Sequence, residues 1–177
     1  MMLFVLQGPS GSGKTTQAAH LAREKQFEKI ITATTRAPRI GEVHGRDYYF
    51  LDDAAYDEKL KKGELLAPTS IHSARYGIPK ADLFSVIRSK NRHALIILDD
   101  KGARELKAMG AFVIGLRLDE ATRHARLLKR KDGGRFTRER FDIRCDATVD
   151  ASQSEDAVYD ALSAAVERAL AENACDF

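Results

Sequence analysis

The stretch GPSGSGKT, residues 8 to 15, satisfies G-x-x-x-x-G-K-[ST], with an apolar run before it and a helix-compatible run, TTQAAHLAREK, after it. That order of residues does phosphate chemistry. Gly8, Gly11 and Gly13 let backbone N–H groups turn inward around an anion, and the N-terminus of the following helix adds its partial positive charge. Lys14 reaches the terminal phosphates, and the Thr15 hydroxyl can coordinate magnesium. The expected nucleotide-binding set is Gly8, Ser10, Gly11, Ser12, Gly13, Lys14, Thr15 and Thr16, with ATP and Mg²⁺ as the cofactors. A glycine turn that only joined a strand to a helix would need no Lys-Thr pair after its last glycine.

Two further groups of residues suit the same chemistry. Arg36 and Arg39 stand three apart in a segment held by Pro38 and Gly41, which makes a guanidinium fork for a dianionic phosphate, and tyrosines nearby supply hydroxyl donors. KRKDGGRFTRER, residues 129 to 140, sets Arg130, Arg135, Arg138 and Arg140 around a Gly-Gly hinge, as a lid over a transferring phosphoryl group would. Asp99 ends the apolar run HALIIL, where open parallel sheets place ligands. It is a candidate magnesium or substrate acid; the alternative is an acid that ends a strand and opens the helix starting near Lys101, and Asp100 competes with it.

These residues need a scaffold, and the apolar runs describe one. MLFVLQ (2 to 7), KIITA (29 to 33), HALIIL (93 to 98), AFVIGLRL (111 to 118) and DATVD (146 to 150) read as strands separated by helical patterns, which argues for a parallel sheet covered on both faces. In DEATRHARLLKRK the apolar face is expected at Ala121, Ala125 and Leu128. The last helix is expected to begin with Ser152 and Glu155 in capping-box spacing, followed by Val158, Leu162, Val166 and Leu170.

Composition excludes several classes. A length of 177 residues suits one domain, and 29 basic against 26 acidic side chains leaves +3, too weak and too interspersed for general nucleic-acid binding. Cys145 and Cys175 have neither metal-ligand nor disulfide-framework spacing, which suits a reducing compartment, so the expected location is the cytoplasm. No apolar run approaches the roughly 18 residues of a membrane helix. His44 and His72 have no ligand-type partners in the sequence and read as ordinary loop and strand residues.

Residues 32 to 50, TATTRAPRIGEVHGRDYYF, together with GPSGSGKTT and YGIPKADL, resemble the guanylate kinase family of nucleoside monophosphate kinases. Every fixed position of T-T-R-x-P-R-x-G-E-x-x-G-x-D-Y-x-F is met, from Thr34 to Phe50. The resemblance implies an α/β P-loop kinase with three layers, a five-stranded parallel core sheet, an acceptor-binding insertion and a lid. The boundaries expected are a single domain over 1–177, with core 1–33, 81–128 and 143–177, acceptor region 34–80 and lid about 129–142. It implies that Arg36, Arg39, Tyr48 and Tyr76 clamp the acceptor's phosphate, that Thr32, Ala67, Ile78 and Asp99 lie at its base, that Thr15 and Asp99 serve the metal, and that Arg130 and Arg140 join Lys14 in catalysis.

The resemblance breaks in GELLAPTSIHSARYGIPK, residues 63 to 80. Ala67 replaces the family's guanine-reading glutamate, Ile78 its serine or threonine, and Ile97 the first acid of its D-x-D strand end. The implied reaction is transfer of the ATP γ-phosphoryl group to a nucleoside monophosphate, with changed base specificity. Alternatives are a kinase of another phosphorylated small molecule or modified nucleotide, and a non-catalytic binding module of the same family. A nucleotide-hydrolysing switch would have no use for the double-arginine clamp. No nucleic acid or membrane partner is expected, and the protein is expected to be a monomer or homodimer.

Overall fold

A computed structural model describes residues 1–24, 27–71, 73–89, 92–129 and 143–174. In chain order the elements are β1 (Leu3–Gln7), α1 (Lys14–Glu24), β2 (Phe27–Lys29), β3 (Ala33–Thr34), β4 (Tyr49–Phe50), α2 (Asp53–Lys61), β5 (Leu65–Ile71) and β6 (Ala74–Pro79). They continue with α3 (Lys80–Ser89), β7 (His93–Ile97), α4 (Asp100–Ala108), β8 (Phe112–Arg117), α5 (Glu120–Leu128), β9 (Ala147–Asp150) and α6 (Glu155–Ala174).

Five strands form one parallel sheet in the order β2-β7-β1-β8-β9. Their apolar runs are continuous because both faces are covered. Phe4, Leu6, Leu95, Ile114 and Leu116 face one side, where they pack with Ala18 and Leu21 of α1 and Val158, Leu162 and Val166 of α6. Val5, Ala94, Ile96 and Val113 face the other, against Leu83 and Val86 of α3 and Ala103 and Leu106 of α4. The result is the three-layer α/β arrangement that the alternation of strands and helices implied, and each such large side chain contributes roughly 1.5–3 kcal/mol by its burial.

A second sheet of order β4-β3-β6-β5 projects from residues 33 to 79. Helix α2 braces it: Asp52 caps the helix by accepting from the Ala55 N–H at 2.7 Å, and Tyr56 donates its hydroxyl to the Tyr76 carbonyl at 2.6 Å. Arg75 of β6 pairs with Asp53 and Asp57 and lies 4.5 Å from the Tyr56 ring centroid.

Three local expectations are corrected. The run 29–33 is not one strand: β2 ends at Lys29 in the main sheet, the Ile30 N–H still bonds the Leu95 carbonyl, and the chain then crosses to the second sheet as β3. In α5 the buried residues are Arg123 and Leu127, while Leu128 is 64% exposed, so the covered stripe is rotated from the one expected at Ala121, Ala125 and Leu128. Helix α6 is capped by Ser154, whose Oγ accepts from the Ala157 N–H, whereas Ser152 Oγ accepts from the Asp119 N–H and ties two loops together.

Candidate active site

The C-terminal ends of the main sheet's strands carry the site. At the end of β1 the chain enters the phosphate loop, where a Cβ on Gly8 would stand 2.5 Å from the Leu116 carbonyl oxygen and Gly13 has φ +83°. Neither position accommodates a side chain without strain. The loop then opens onto the first turn of α1, so the helix N-terminus faces the loop's interior. Lys14 Nζ donates to the Gly8 and Pro9 carbonyls at 2.6 and 3.0 Å, which lays the side chain across the loop. Ser12 is buried, with an Oγ that has no hydrogen-bond partner among the described residues. A polar atom left so in a helix-capping glycine loop fits a phosphate oxygen. Ser10 is half-buried, and Thr15 and Thr16 are exposed on the first turn of α1.

Across the cleft lies the loop between β3 and β4. Arg36 donates from both terminal nitrogens to Glu42, each at 2.9 Å, and to the Ala37 carbonyl at 2.8 Å. These bonds occupy part of a planar five-donor group and fix its plane. The same Glu42 accepts from the Arg39 backbone N–H at 2.7 Å, so one carboxylate holds the Arg36 guanidinium and the turn that carries Arg39. Burial pushes Glu42 upward, but the bonds from Arg36 and Arg39 outweigh it and leave its carboxyl below the usual range. The Arg36 guanidinium lies 5.2 Å from the Tyr48 ring centroid and 5.7 Å from that of Phe50. Burial raises Tyr48, which keeps its hydroxyl a donor, and its ring meets that of Tyr76 edge-on at 6.3 Å. Arg36, Tyr48 and Tyr76 thus lie together, with Arg39 on the same loop as Arg36.

Thr15 from the donor side and Arg39, Glu42 and Tyr48 from the clamp line one small cleft, about 80 Å³, whose floor is Lys29, Ile30, Thr32 and Ile97. The volume is far below the roughly 300 Å³ at which drug-sized ligands begin to be held. It suits a phosphate-sized group.

Ala67 and Ile78 are not among the side chains lining this cleft. They are 4% and 1% exposed and pack in the same apolar cluster as Val5, Ile96, Leu83 and Val86. β5 and β6 lie over α3 and α4, and side chains directed that way enter the main core. Ala67 has φ +47° where β5 bulges, two residues opposing one between the Leu66–Ile78 and Thr69–Tyr76 pairs. A non-glycine residue in that region is strained by roughly 1–3 kcal/mol.

Asp99 performs the capping role that was its alternative: Oδ1 accepts from the Gly102 N–H at 2.8 Å at the start of α4. Asp100 accepts from the Ile143 N–H and pairs with Arg104. Among the described residues no group of three His, Cys, Asp or Glu side chains gathers to hold a metal. Magnesium asks less of a protein, one or two oxygens with phosphates and waters completing the shell, and the exposed Thr15 hydroxyl is an oxygen of that kind. Arg130, Arg135, Arg138 and Arg140, the expected lid, and His72 lie outside the described residues. His44 accepts from the Phe50 N–H through Nδ1 and is a loop residue, as expected.

Four residues at or beside the site carry little local signal that would place them there. Glu42 was a motif position without a role. Lys29 was part of a strand, although a charge interrupting FEKIITA was the signal. Arg126 reaches from α5 to the Gly11 carbonyl at 3.2 Å and the Gln153 carbonyl at 3.1 Å, tying the phosphate loop to the entrance of α6. Gln7, the last residue before the loop, donates to Cys145 Sγ at 3.0 Å, a contact between residues 138 apart that no local pattern reveals.

Among the described residues no helix is long and apolar enough to cross a membrane. The family model described as guanylate kinase matches residues 1–162. A guanylate kinase of Leifsonia xyli is 43% identical over 109 residues, 60% of this chain and 42% of that protein. One from Chlamydia trachomatis is 32% identical over 156 residues, 86% of this chain and 76% of that protein. The crystal structure of guanylate kinase from Anaplasma phagocytophilum superposes with a TM-score of 0.70 at 26% identity, covering 94% of this chain and 85% of the other. The chain spans about half the length of several curated relatives it matches, 42%, 58% and 50% in three of them. With the phosphate loop, the Glu42-held arginine fork and the five-stranded parallel sheet in one frame, this chain belongs to the guanylate kinase family.

Proposed function

We propose that this chain is an ATP-dependent nucleoside monophosphate kinase whose preferred base is not guanine. The observation that carries the kinase reading is the cleft itself, which Thr15 of the phosphate loop shares with Arg39 and Tyr48 of the clamp. A donor phosphate on the loop and an acceptor phosphate on the clamp would be held facing each other, and catalysis is then mostly positioning and charge neutralisation. Lys14 turns from the Gly8 and Pro9 carbonyls to the terminal phosphates, Arg36 and Arg39 hold the acceptor, and Tyr48 and Tyr76 donate to it. Magnesium, held by Thr15 and through the Asp99 carboxylate, supplies charge neutralisation at the donor phosphates when bound. Arg130 and Arg140 are proposed to act as the lid cations. Such a reaction belongs in the ATP-supplied cytoplasm.

The relatives are named guanylate kinases, and guanine is the base their name suggests. Against guanine here stand Ala67, Ile78 and Ile97, apolar side chains where the family resemblance expects a carboxylate for the ring N–H and amino groups, a hydroxyl for the carbonyl and a further acid. Buried guanine donors left unpaired would cost about 1–3 kcal/mol each. The clamp addresses a phosphate rather than a base, which leaves a second reading, a kinase of another phosphorylated small molecule.

The deciding experiment is coupled ADP release across the ribo- and deoxynucleoside monophosphates, repeated with Arg36→Ala and Arg39→Ala. A monophosphate other than GMP should be the best acceptor, and each variant should raise the acceptor's KM strongly while ATP affinity changes little. GMP as the best acceptor overturns the specificity; no active monophosphate leaves the second reading.

A further inference from the structure

We propose that Lys29 is a substrate-binding residue of this cleft, its ammonium group meeting an oxygen of the acceptor's phosphate between the phosphate loop and the clamp. This rests on the kinase reading above, and on geometry that the clamp residues do not explain.

Lys29 is the last residue of β2, paired with Leu95 of β7 at the C-terminal edge of the main sheet. Its neighbours in the chain are apolar and buried: Phe27 is 2% and Ile30 3% exposed. The lysine itself is half-buried and turned into the cleft, which Thr15 borders on the donor side and Arg39 and Tyr48 on the acceptor side. A half-buried ammonium requires a compensating anion or several good acceptors. The two acids of the cleft already have partners. Glu42 accepts two bonds from Arg36 and one from the Arg39 N–H. Asp47 accepts from the Val43 N–H and from Arg46, each at 2.9 Å. The hydrogen bond that Lys29 Nζ makes is a long one, 3.3 Å, to the Arg46 carbonyl.

An ammonium carries three donors, so a cation with donors in excess of its fixed partners lies in a phosphate-sized space between two phosphate-handling elements. Burial lowers its pKa, partly offset by Asp47, with Arg46 lowering and Glu42 raising it further. An incoming phosphate dianion would restore the charged form. Lysine acts at such sites as a mobile point charge, whereas the planar Arg36 is fixed by Glu42, so the two cations are complementary rather than redundant. Ile30 and Ile97 in the same cleft lower the local dielectric and strengthen the contact.

The test uses the whole chain with saturating MgADP, so that the phosphate loop is filled, and inorganic phosphate as the probe, read by the ligand-induced shift in Tm. Lys29→Met and Lys29→Gln should each weaken phosphate binding about tenfold or more, the loss of one charge-assisted hydrogen bond, while Lys29→Arg restores most of it. With the best acceptor, the neutral variants should raise its KM about tenfold and leave the KM for ATP unchanged. Phosphate that binds Lys29→Met and Lys29→Gln as it binds wild type, or that does not bind wild type at all, overturns the assignment. A loss of MgADP affinity instead overturns it by placing Lys29 on the donor side. Dependence of phosphate binding on Lys29 with no active monophosphate in the panel supports Lys29 and overturns only the nucleotide reading of the acceptor.

Discussion

The loop that carries Arg36 and Arg39 and the strand pair that carries Ala67 and Ile78 are attached to the same four-stranded sheet, yet they are held by opposite means. The first is a polar lattice: one carboxylate, Glu42, receives three bonds, two that set the plane of the Arg36 guanidinium and one from the backbone of Arg39. The second is apolar packing, with Ala67 and Ile78 buried against the helices and strands of the main core. Polar positioning keeps phosphate chemistry specific because each donor has one direction; packing keeps only volume and leaves nothing to read a base edge. On the proposed reading, a chain that retains the first and gives up the second would keep its hold on the acceptor's phosphate and lose a way of reading the base.

The sharpest way to break this contrast is to put polarity back on the packed side. Ala67→Glu with Ile78→Ser introduces a carboxylate and a hydroxyl where the surroundings are Val5, Ile96, Leu83 and Val86. The expected outcome is a loss of stability of several kcal/mol, measured by chemical denaturation, with GMP turnover in ADP release reading whether either position meets a base. Restored GMP activity in a folded protein would return both positions to the base. On the phosphate side, Lys14→Ala should lower kcat about 10²–10³-fold with the unfolding transition unchanged, since its partners are loop carbonyls and phosphates rather than core. Unaltered turnover would refute the kinase reading.

Glu42→Gln tests the lattice while leaving both arginines in place. It should raise the acceptor's KM by about tenfold, one or two lost charge-assisted bonds, with ATP affinity preserved. Because the folded carboxyl of Glu42 titrates below its unfolded value, the clamp it supports is intact above the ordinary carboxylate range and is lost as pH falls through the folded value. The wild-type and Glu42→Gln KM values should therefore converge in acid. The smallest effect is expected far from either wall. Asp119 caps α5, and bonds from the Thr122 N–H and hydroxyl, with Ser152 next, lower its pKa to about 2. Asp119→Ala should lower Tm modestly at neutral pH, and the difference should disappear as pH falls through about 2, followed by thermal unfolding across that range.

The two walls also differed in how much of them could be read beforehand. A phosphate loop is a local object, eight consecutive residues between a strand and a helix, and the clamp is nearly so; their residue types follow from what a phosphate needs. The core strands were legible for a similar reason, since Phe4, Val5 and Leu6 must be apolar to be covered on both faces. Ala67 and Ile78 could be seen to be apolar but not to be core, because which face of β5 and β6 meets α3 and α4 depends on a bulge and on how two sheets lie together. Long-range contacts left no local trace either. Arg126 on the Gly11 carbonyl is one, and Lys29 in the cleft is another, hidden because a strand's last residue can point to core, solvent or site with the same sequence. The KIITA run failed differently: its apolar residues belong to two sheets, and only the hydrogen bonds of Ile30 and Thr32 show where the chain changes partners.

The buried Ile78 has a mechanical consequence. Swinging the second sheet away from the main one would carry this side chain and Ala67 out of a layer they share with Val5, Ala94 and Ile96, and wetting Ile78 alone would cost roughly 1.5–3 kcal/mol. The strand pair and the core therefore travel as one plate. Admission to the cleft falls instead to the turn between β3 and β4, whose tip is loosely covered, with Ile40 92% and Val43 48% exposed. Glu42 lies between those two, so the carboxylate that fixes the Arg36 guanidinium also rides on a thinly packed turn.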